Sequence, residues 1–181
     1  MKERQKFTVW IVVFFVCLFC TGCQKESEKE LSSQQSYRMY YIKNQSKLVS
    51  ESFPTELTVT EDLIAEFIGA LSKDSSNNVD NKRAIPEITN IVKSNYDLEK
   101  KQLVLYFDAG YSERNNKLGE ILSRAAIVRT LTQIPDVDYI SIFVNDQPLI
   151  DASGRIVGSM KASDFIEDLG GDVNDYEKNT M

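Results

Sequence analysis

Histidine is absent from this 181-residue chain. That removes the commonest general base and the commonest metal ligand at neutral pH. Cysteine is almost as scarce: Cys17, Cys20 and Cys23 are the only three, all near the N-terminus. Their C-x-x-C-x-x-C spacing could in isolation suggest a metal or cluster site. Cys17 and Cys20, however, lie within an apolar run that reads as a cleaved leader. Without that run one cysteine is left, so no internal disulfide is expected. A serine nucleophile would lack an activating base, and neither a Ser-x-x-Lys pair nor a Gly-x-Ser-x-Gly elbow occurs. No Gly-rich phosphate loop is present. Asp74-Ser75-Ser76-Asn77-Asn78-Val79 resembles a calcium loop only faintly, with Val79 at the glycine position and Ile85 where a bidentate glutamate is needed. The acidic pairs Glu61-Asp62 and Glu167-Asp168 are adjacent in sequence, so their side chains do not face each other. Neither a catalytic constellation nor a cofactor or metal site is expected.

Positive charge is also in short supply. Lys and Arg number 21 against 27 Asp and Glu, a formal net charge of -6. The leader carries a net +2, so its removal leaves -8. Such a chain repels phosphate backbones, and nucleic-acid binding is disfavoured.

The first 22 residues have the three parts of a signal peptide: basic Met1 to Lys6, apolar Phe7 to Cys20, and a small-residue end at Thr21-Gly22. The apolar run is short for a membrane-spanning helix, which needs ~20 such residues. The closing Cys20-Thr21-Gly22-Cys23 resembles the lipobox of bacterial lipoproteins, although Cys20 stands where the family usually has an aliphatic residue. The resemblance implies that Cys23 is acylated and becomes the mature N-terminus. It implies a bacterial, Gram-positive protein anchored by lipid at the extracytoplasmic face of the cell membrane. Residues 23–36, with the polar run Gln24 to Gln35, read as a flexible tether. Asn44-Gln45-Ser46 matches a glycosylation acceptor but, in a bacterium, reads as a turn.

Beyond the tether the pattern becomes that of a packed domain over residues 37–168. Tyr37 to Ile42 is aromatic and β-branched, the composition of a strand. Lys43 to Ser46 is a turn, and Lys47 to Phe53 is its hairpin partner, ended by Pro54. Leu57 to Val59 is a further short strand. Thr60 to Lys73 reads as a helix with Thr60 as N-cap and Leu63, Ile64, Phe67, Ile68 and Leu71 on one face. Asp74 to Arg83 is a polar loop. Thr89 to Tyr96 and Gln102 to Phe107 are strands around the turn Asp97 to Lys101, with Leu103, Leu105 and Phe107 on one side. Ser112 to Gln133 is a long helix, with Leu118, Ile121, Leu122, Ala125, Val128 and Thr132 at helical spacing; Pro135 stops it. Tyr139 to Val144 is the most hydrophobic strand and a candidate central one. Turns follow at Asn145-Asp146 and Ala152 to Arg155. Gly170-Gly171 closes the domain, and residues 169–181 read as a frayed tail. The order β-β-α-β-β-α-β, with one apolar stripe per helix, predicts an α/β chain of the α+β two-layer kind: a small sheet with both helices on one face. The face bearing Leu122 is expected to pack on Ile140 and Ile142, with Glu120 exposed.

The stretch Ile127 to Ile150 resembles the GerMN domain of the sporulation and spore germination family. Its helix end and following strand match at Val128, Thr130 to Thr132, Pro135, Val137 and Val144-Asn145. Ala84-Ile85-Pro86 with Thr89, Leu103 to Asp108 and Ala162 to Phe165 resemble other family segments. Two departures are Ser72-Lys73 in place of a Gly-Pro, and Tyr106 in place of a strand aspartate. The resemblance implies a compact domain similar to ring-building motifs, without enzymatic activity. It implies protein-protein contact with other envelope or sporulation proteins as the role, in sporulation, germination or envelope assembly. A small-ligand-binding lipoprotein is the alternative, but such proteins are usually larger and two-lobed. A cell-wall enzyme is a third reading. The sequence leaves the partner and the oligomeric state open.

Overall fold

A computed structural model describes residues 35–113 and 117–165. The leader, Cys23, most of the tether, Glu167-Asp168, Gly170-Gly171 and the tail 169–181 lie outside the described residues. Gln34–Met181 forms one compact unit.

The fold is α+β, with two helices and two small sheets, and the predicted order of the main elements is present. The expected small sheet is divided in two. The first has the order β2-β1-β3, from β1 (Gln35–Lys43), β2 (Lys47–Thr55) and β3 (Asn81–Lys82). The second has the order β4-β5-β6-β7, from β4 (Ile91–Asp97), β5 (Gln102–Phe107), β6 (Tyr139–Val144) and β7 (Gln147–Pro148). Helix α1 is Thr60–Leu71 and α2 is Lys117–Leu131. β5 and β6 are parallel and joined through α2; the other pairings are antiparallel.

Local chemistry explains most boundaries. Asn44 and Gln45 both take positive φ, so the β1–β2 hairpin closes through a left-handed turn. Pro54 does not end β2, which continues to Thr55. β2 is an edge strand, and a proline there removes no ladder hydrogen bond if its nitrogen faces outward. Leu57 to Val59 is not a strand. It is the exposed link into α1, where Val59, not Thr60, holds the N-cap position without a side-chain bond. The apolar face of α1 is as the periodicity predicts: Leu63, Ile64, Phe67, Ile68 and Leu71 are all buried.

The loop after α1 is more ordered than its polarity suggests. β3 within it pairs with the end of β1. Glu51 on β2 accepts hydrogen bonds from Ser75 Oγ, Asn77 Nδ2 and Asn81 Nδ2, at 2.7–2.9 Å. The residues of the calcium-like run thus point their donors at a carboxylate of the chain itself. Burial pushes the Glu51 carboxyl up, but these donors outweigh it and lower its pKa. Asp74 accepts the Arg83 backbone N–H and guanidinium, with Lys82 alongside, and its pKa falls from 3.8 to about 2. A depressed carboxylate adds stability above its unfolded pKa and loses it as pH falls through the folded value. Stability should therefore decline between about pH 4 and pH 2, and Asp74→Asn should flatten that decline. Urea melts across this window, with and without the substitution, test it.

The second helix departs furthest from expectation. The predicted start at Ser112 is instead a separate 3-10 turn, Ala109–Ser112, capped by Asp108 accepting the Gly110 N–H. Leu118 is exposed, whereas Ser123, Ala126, Ile127, Thr130 and Leu131 are fully buried. Four consecutive buried residues, Ala125 to Val128, point to all sides of the helix, so its burial is wider than one apolar stripe, although Arg124 and Arg129 beside them stay partly exposed. It packs chiefly on β1, and also meets β2, α1 and β6. Leu122 is fully buried, and α2 does touch β6, but the dominant neighbour is β1 rather than the Ile140–Ile142 strand. Glu120 is not exposed: it sits against Arg124, and its other oxygen accepts the Ala152 N–H at 3.0 Å.

Side chains from the end of α2 cover the β1 edge that β3 leaves open. Gln133 accepts from Arg38 N at 2.9 Å and donates to Arg38 O at 2.7 Å, in the manner of a strand. Thr130 Oγ1 accepts the Tyr40 N–H. Thr130→Val keeps the shape but orphans that amide, which should cost about 1–3 kcal/mol. Faster hydrogen exchange at Tyr40 with a lowered urea midpoint is the expected readout.

Candidate functional site

The two faces of the second sheet are unlike each other. Leu103, Leu105, Phe107, Ile140 and Ile142 point inward to the core shared with α1 and α2. The opposite face is covered by neither helix. Strand register arranges it in three rows. The first is Lys93–Tyr106–Phe143–Pro148, the second Asn95–Val104–Ser141 and the third Asp97–Gln102–Tyr139. A shallow groove of about 370 Å³ runs over it, bordered by Ile156 and Val157 from the chain returning beside β6.

The centre of this face is uncharged. Tyr106 and Phe143 lie with ring centroids 5.1 Å apart. Gln102 Nε2 donates to Ser141 Oγ and Ser159 Oγ, both at 2.8 Å. Charge is confined to the ends of β4. Lys93 stands over the Tyr106 ring, 4.2 Å from its centroid, and pairs with Asp146. At the far end the Lys100 ammonium, hydrogen-bonded to Asp97, holds that carboxyl below its usual range. A sheet strand with apolar residues on both faces normally has both faces covered. The mixed run Leu103-Val104-Leu105-Tyr106 and the stretch Tyr139 to Val144, apolar but for Ser141, carry that signal in the sequence, but not which residues would lie side by side.

Two other concavities lie elsewhere on the described residues. One, lined by Tyr40, Arg129, Thr132, Gln133, Ser163 and Phe165, lies over the end of α2, and there Arg129 Nη2 donates to Phe165 O at 3.0 Å. The other lies between Tyr111, Glu120 and Asp151. Among the described residues no group of three or more His, Cys, Asp or Glu could hold a metal ion, and no helix is long and apolar enough to cross a membrane. Cys23, the one predicted site residue, lies outside the described residues.

The segments behind the family resemblance are seams of the fold. Thr130 meets β1, Thr132 Oγ1 donates to Val128 O, and Val137 is buried. Asn145 takes positive φ, and its N–H reaches Phe107 O at 3.0 Å. Ala84 and Ile85 both donate their backbone N–H to Leu71 O, and Ser123 Oγ donates to Ala84 O at 2.7 Å. Ala162 to Phe165 forms the last 3-10 turn and its end.

These features define a small α+β domain whose motif residues hold the fold together and whose broad open surface is a sheet face. The chain belongs to the sporulation and spore germination family, the GerMN domains: residues 38–150 match it. Solved structures agree in fold. The "Putative Lipoprotein from Clostridium perfringens" is 20% identical with a TM-score of 0.51, covering 72% of this chain and 88% of that one. The first GerMN domain of the Bacillus subtilis sporulation protein GerM is 15% identical with a TM-score of 0.55, covering 68% and 94%. The tandem GerMN domains of the same protein give 14% and 0.57, covering 72% of this chain and 47% of theirs. No curated protein matches the sequence.

Proposed function

We propose that this chain is a non-enzymatic, lipid-anchored envelope protein whose single GerMN domain binds other envelope or sporulation proteins. The observation that carries the proposal is the family match over residues 38–150, together with an outer sheet face that neither helix covers and that the chain at Ile156 to Ser159 only borders. The Thr21-Gly22-Cys23 ending of the leader and the lipoprotein description of a structural relative support the anchor. In this reading Cys23 carries the lipid, the domain lies outside the cytoplasm, and the acidic chain avoids nucleic acid.

Two experiments test it. Cys23→Ala should abolish fatty-acid labelling and block leader removal, since no thioether can form without the thiol. Unchanged labelling and mobility would refute the anchor. Crosslinking in growing and sporulating cells should recover envelope proteins with the chain. Recovery of soluble metabolic enzymes alone would refute the interaction role.

A further inference from the structure

The outer face of the second sheet has the anatomy of a contact surface, with an uncharged centre, aromatic residues beside it and charge at the ends of β4. The chain as a whole is 27% charged, so an uncharged centre is a departure from its own composition. Ile156 at its border is 71% exposed, an apolar side chain left in water beside Tyr106 and Phe143. We propose that this face is the contact between two copies of this chain, placed so that Lys93 of each copy meets Asp97 of the other.

Register selects the arrangement. A two-fold axis lying along the middle row, Asn95–Val104–Ser141, exchanges the first row with the third. Lys93 then lies opposite Asp97 of the other copy, twice. Phe143 lies opposite Tyr139, and Val104 opposite Val104. Asp146, already paired with Lys93, and Lys100, already paired with Asp97, extend each contact into a row of alternating charge, and the neutral centre meets a neutral centre. An axis parallel to the strands would instead set Lys93 over the β6–β7 side, where Phe143 and Pro148 offer no partner for a desolvated ammonium. The self-complementary choice is the one in which residue i touches j and j touches i.

Size sets the strength. Four strands spaced ~4.8 Å apart and five residues rising ~3.4 Å each make a face of roughly 300 Å² per copy. A standard interface has about 800 Å² per partner. The contact is therefore weak in free solution. Copies held on one membrane would populate it, because a shared surface raises their effective concentration. The proposal rests on the reading of the domain as an interaction module and names one of its contacts.

The test uses the compact unit Gln34–Met181 in sedimentation experiments from about 10 µM to about 1 mM, the range in which so small a contact dissociates. The average mass should rise with concentration toward that of a dimer. Lys93→Asp alone and Asp97→Lys alone should each weaken association by about tenfold or more. Mixed in equal amounts, the two variants should associate again, because opposite charges then meet at both ends of the contact between unlike copies. Ile156→Glu should abolish association with an unchanged melting temperature, as an exposed side chain is not needed for folding. A monomer at every concentration would overturn the proposal. So would a mixture no better than either variant alone, or association that survives Ile156→Glu unchanged. Crosslinks to other envelope proteins are read separately in cells. Their presence beside a monomeric chain would remove the self-contact and leave the interaction role standing.

Discussion

Phe67→Ala is expected to lower the unfolding free energy by about 3–5 kcal/mol, the range for deleting a buried phenylalanine ring. Phe67 is completely buried in α1. Its ring meets Tyr37 edge-on at 5.0 Å and Phe53 at 5.1 Å, joining the helix to both strands of the first hairpin. Such aromatic pairs add to simple area burial. A domain of this kind has roughly 5–15 kcal/mol in total, so the substitution removes a large share of it. Urea melts of the Gln34–Met181 unit give the value. A loss below about 1 kcal/mol would mean that the hairpin and α1 are not packed as described.

The second large effect is expected at Gly110. A Cβ there would lie 2.2 Å from the Ile88 carbonyl oxygen and 2.9 Å from its carbon. The obstacle is main chain, which cannot rotate away as a side-chain tip can. Gly110 N–H also donates to Asp108 Oδ1, and Asp108 binds Asn90, so the turn is held from two sides. Gly110→Val should cost about 3 kcal/mol or more, at the upper end of overpacking penalties. Gly69→Ala is the control of opposite sign. Gly69 lies in the last turn of α1 with nothing within 4 Å of an added Cβ. Alanine there should stabilise by about 0.5–1 kcal/mol through helix propensity and a smaller entropy loss. If both substitutions destabilise alike, the close approach of the Gly110 turn to Ile88 is wrong.

These two positions differ in how they are read. Phe67 is visible in the sequence because helical periodicity places it on one stripe with Leu63, Ile64, Ile68 and Leu71, and one stripe needs only one covering surface. Gly110 is invisible, because its constraint comes from Ile88, twenty-two positions away and on no shared element. The misread termini have the same origin. Pro54 has the local chemistry of a strand breaker, but β2 turned out to be an edge, where a proline is tolerated. Glu120 has the look of a surface charge. The Ala152 N–H reaches it only because the chain after β7 folds back over the start of α2.

The α+β class, the apolar face of α1, the inward side of β5, the two hairpin turns and the family are legible in the residues alone, since each rests on short-range periodicity, turn chemistry or a contiguous motif. The division of the strands into two sheets, and the burial of Ala125 to Val128 on more than one side of α2, come from tertiary packing. It alone turned the loop at Ser75 to Asn81 toward Glu51, and it alone brought Lys93, Tyr106, Phe143 and Asp97 onto one open face. Those outcomes depend on which elements become neighbours. Many distant contacts choose that jointly, and no single stretch of the chain contains the choice.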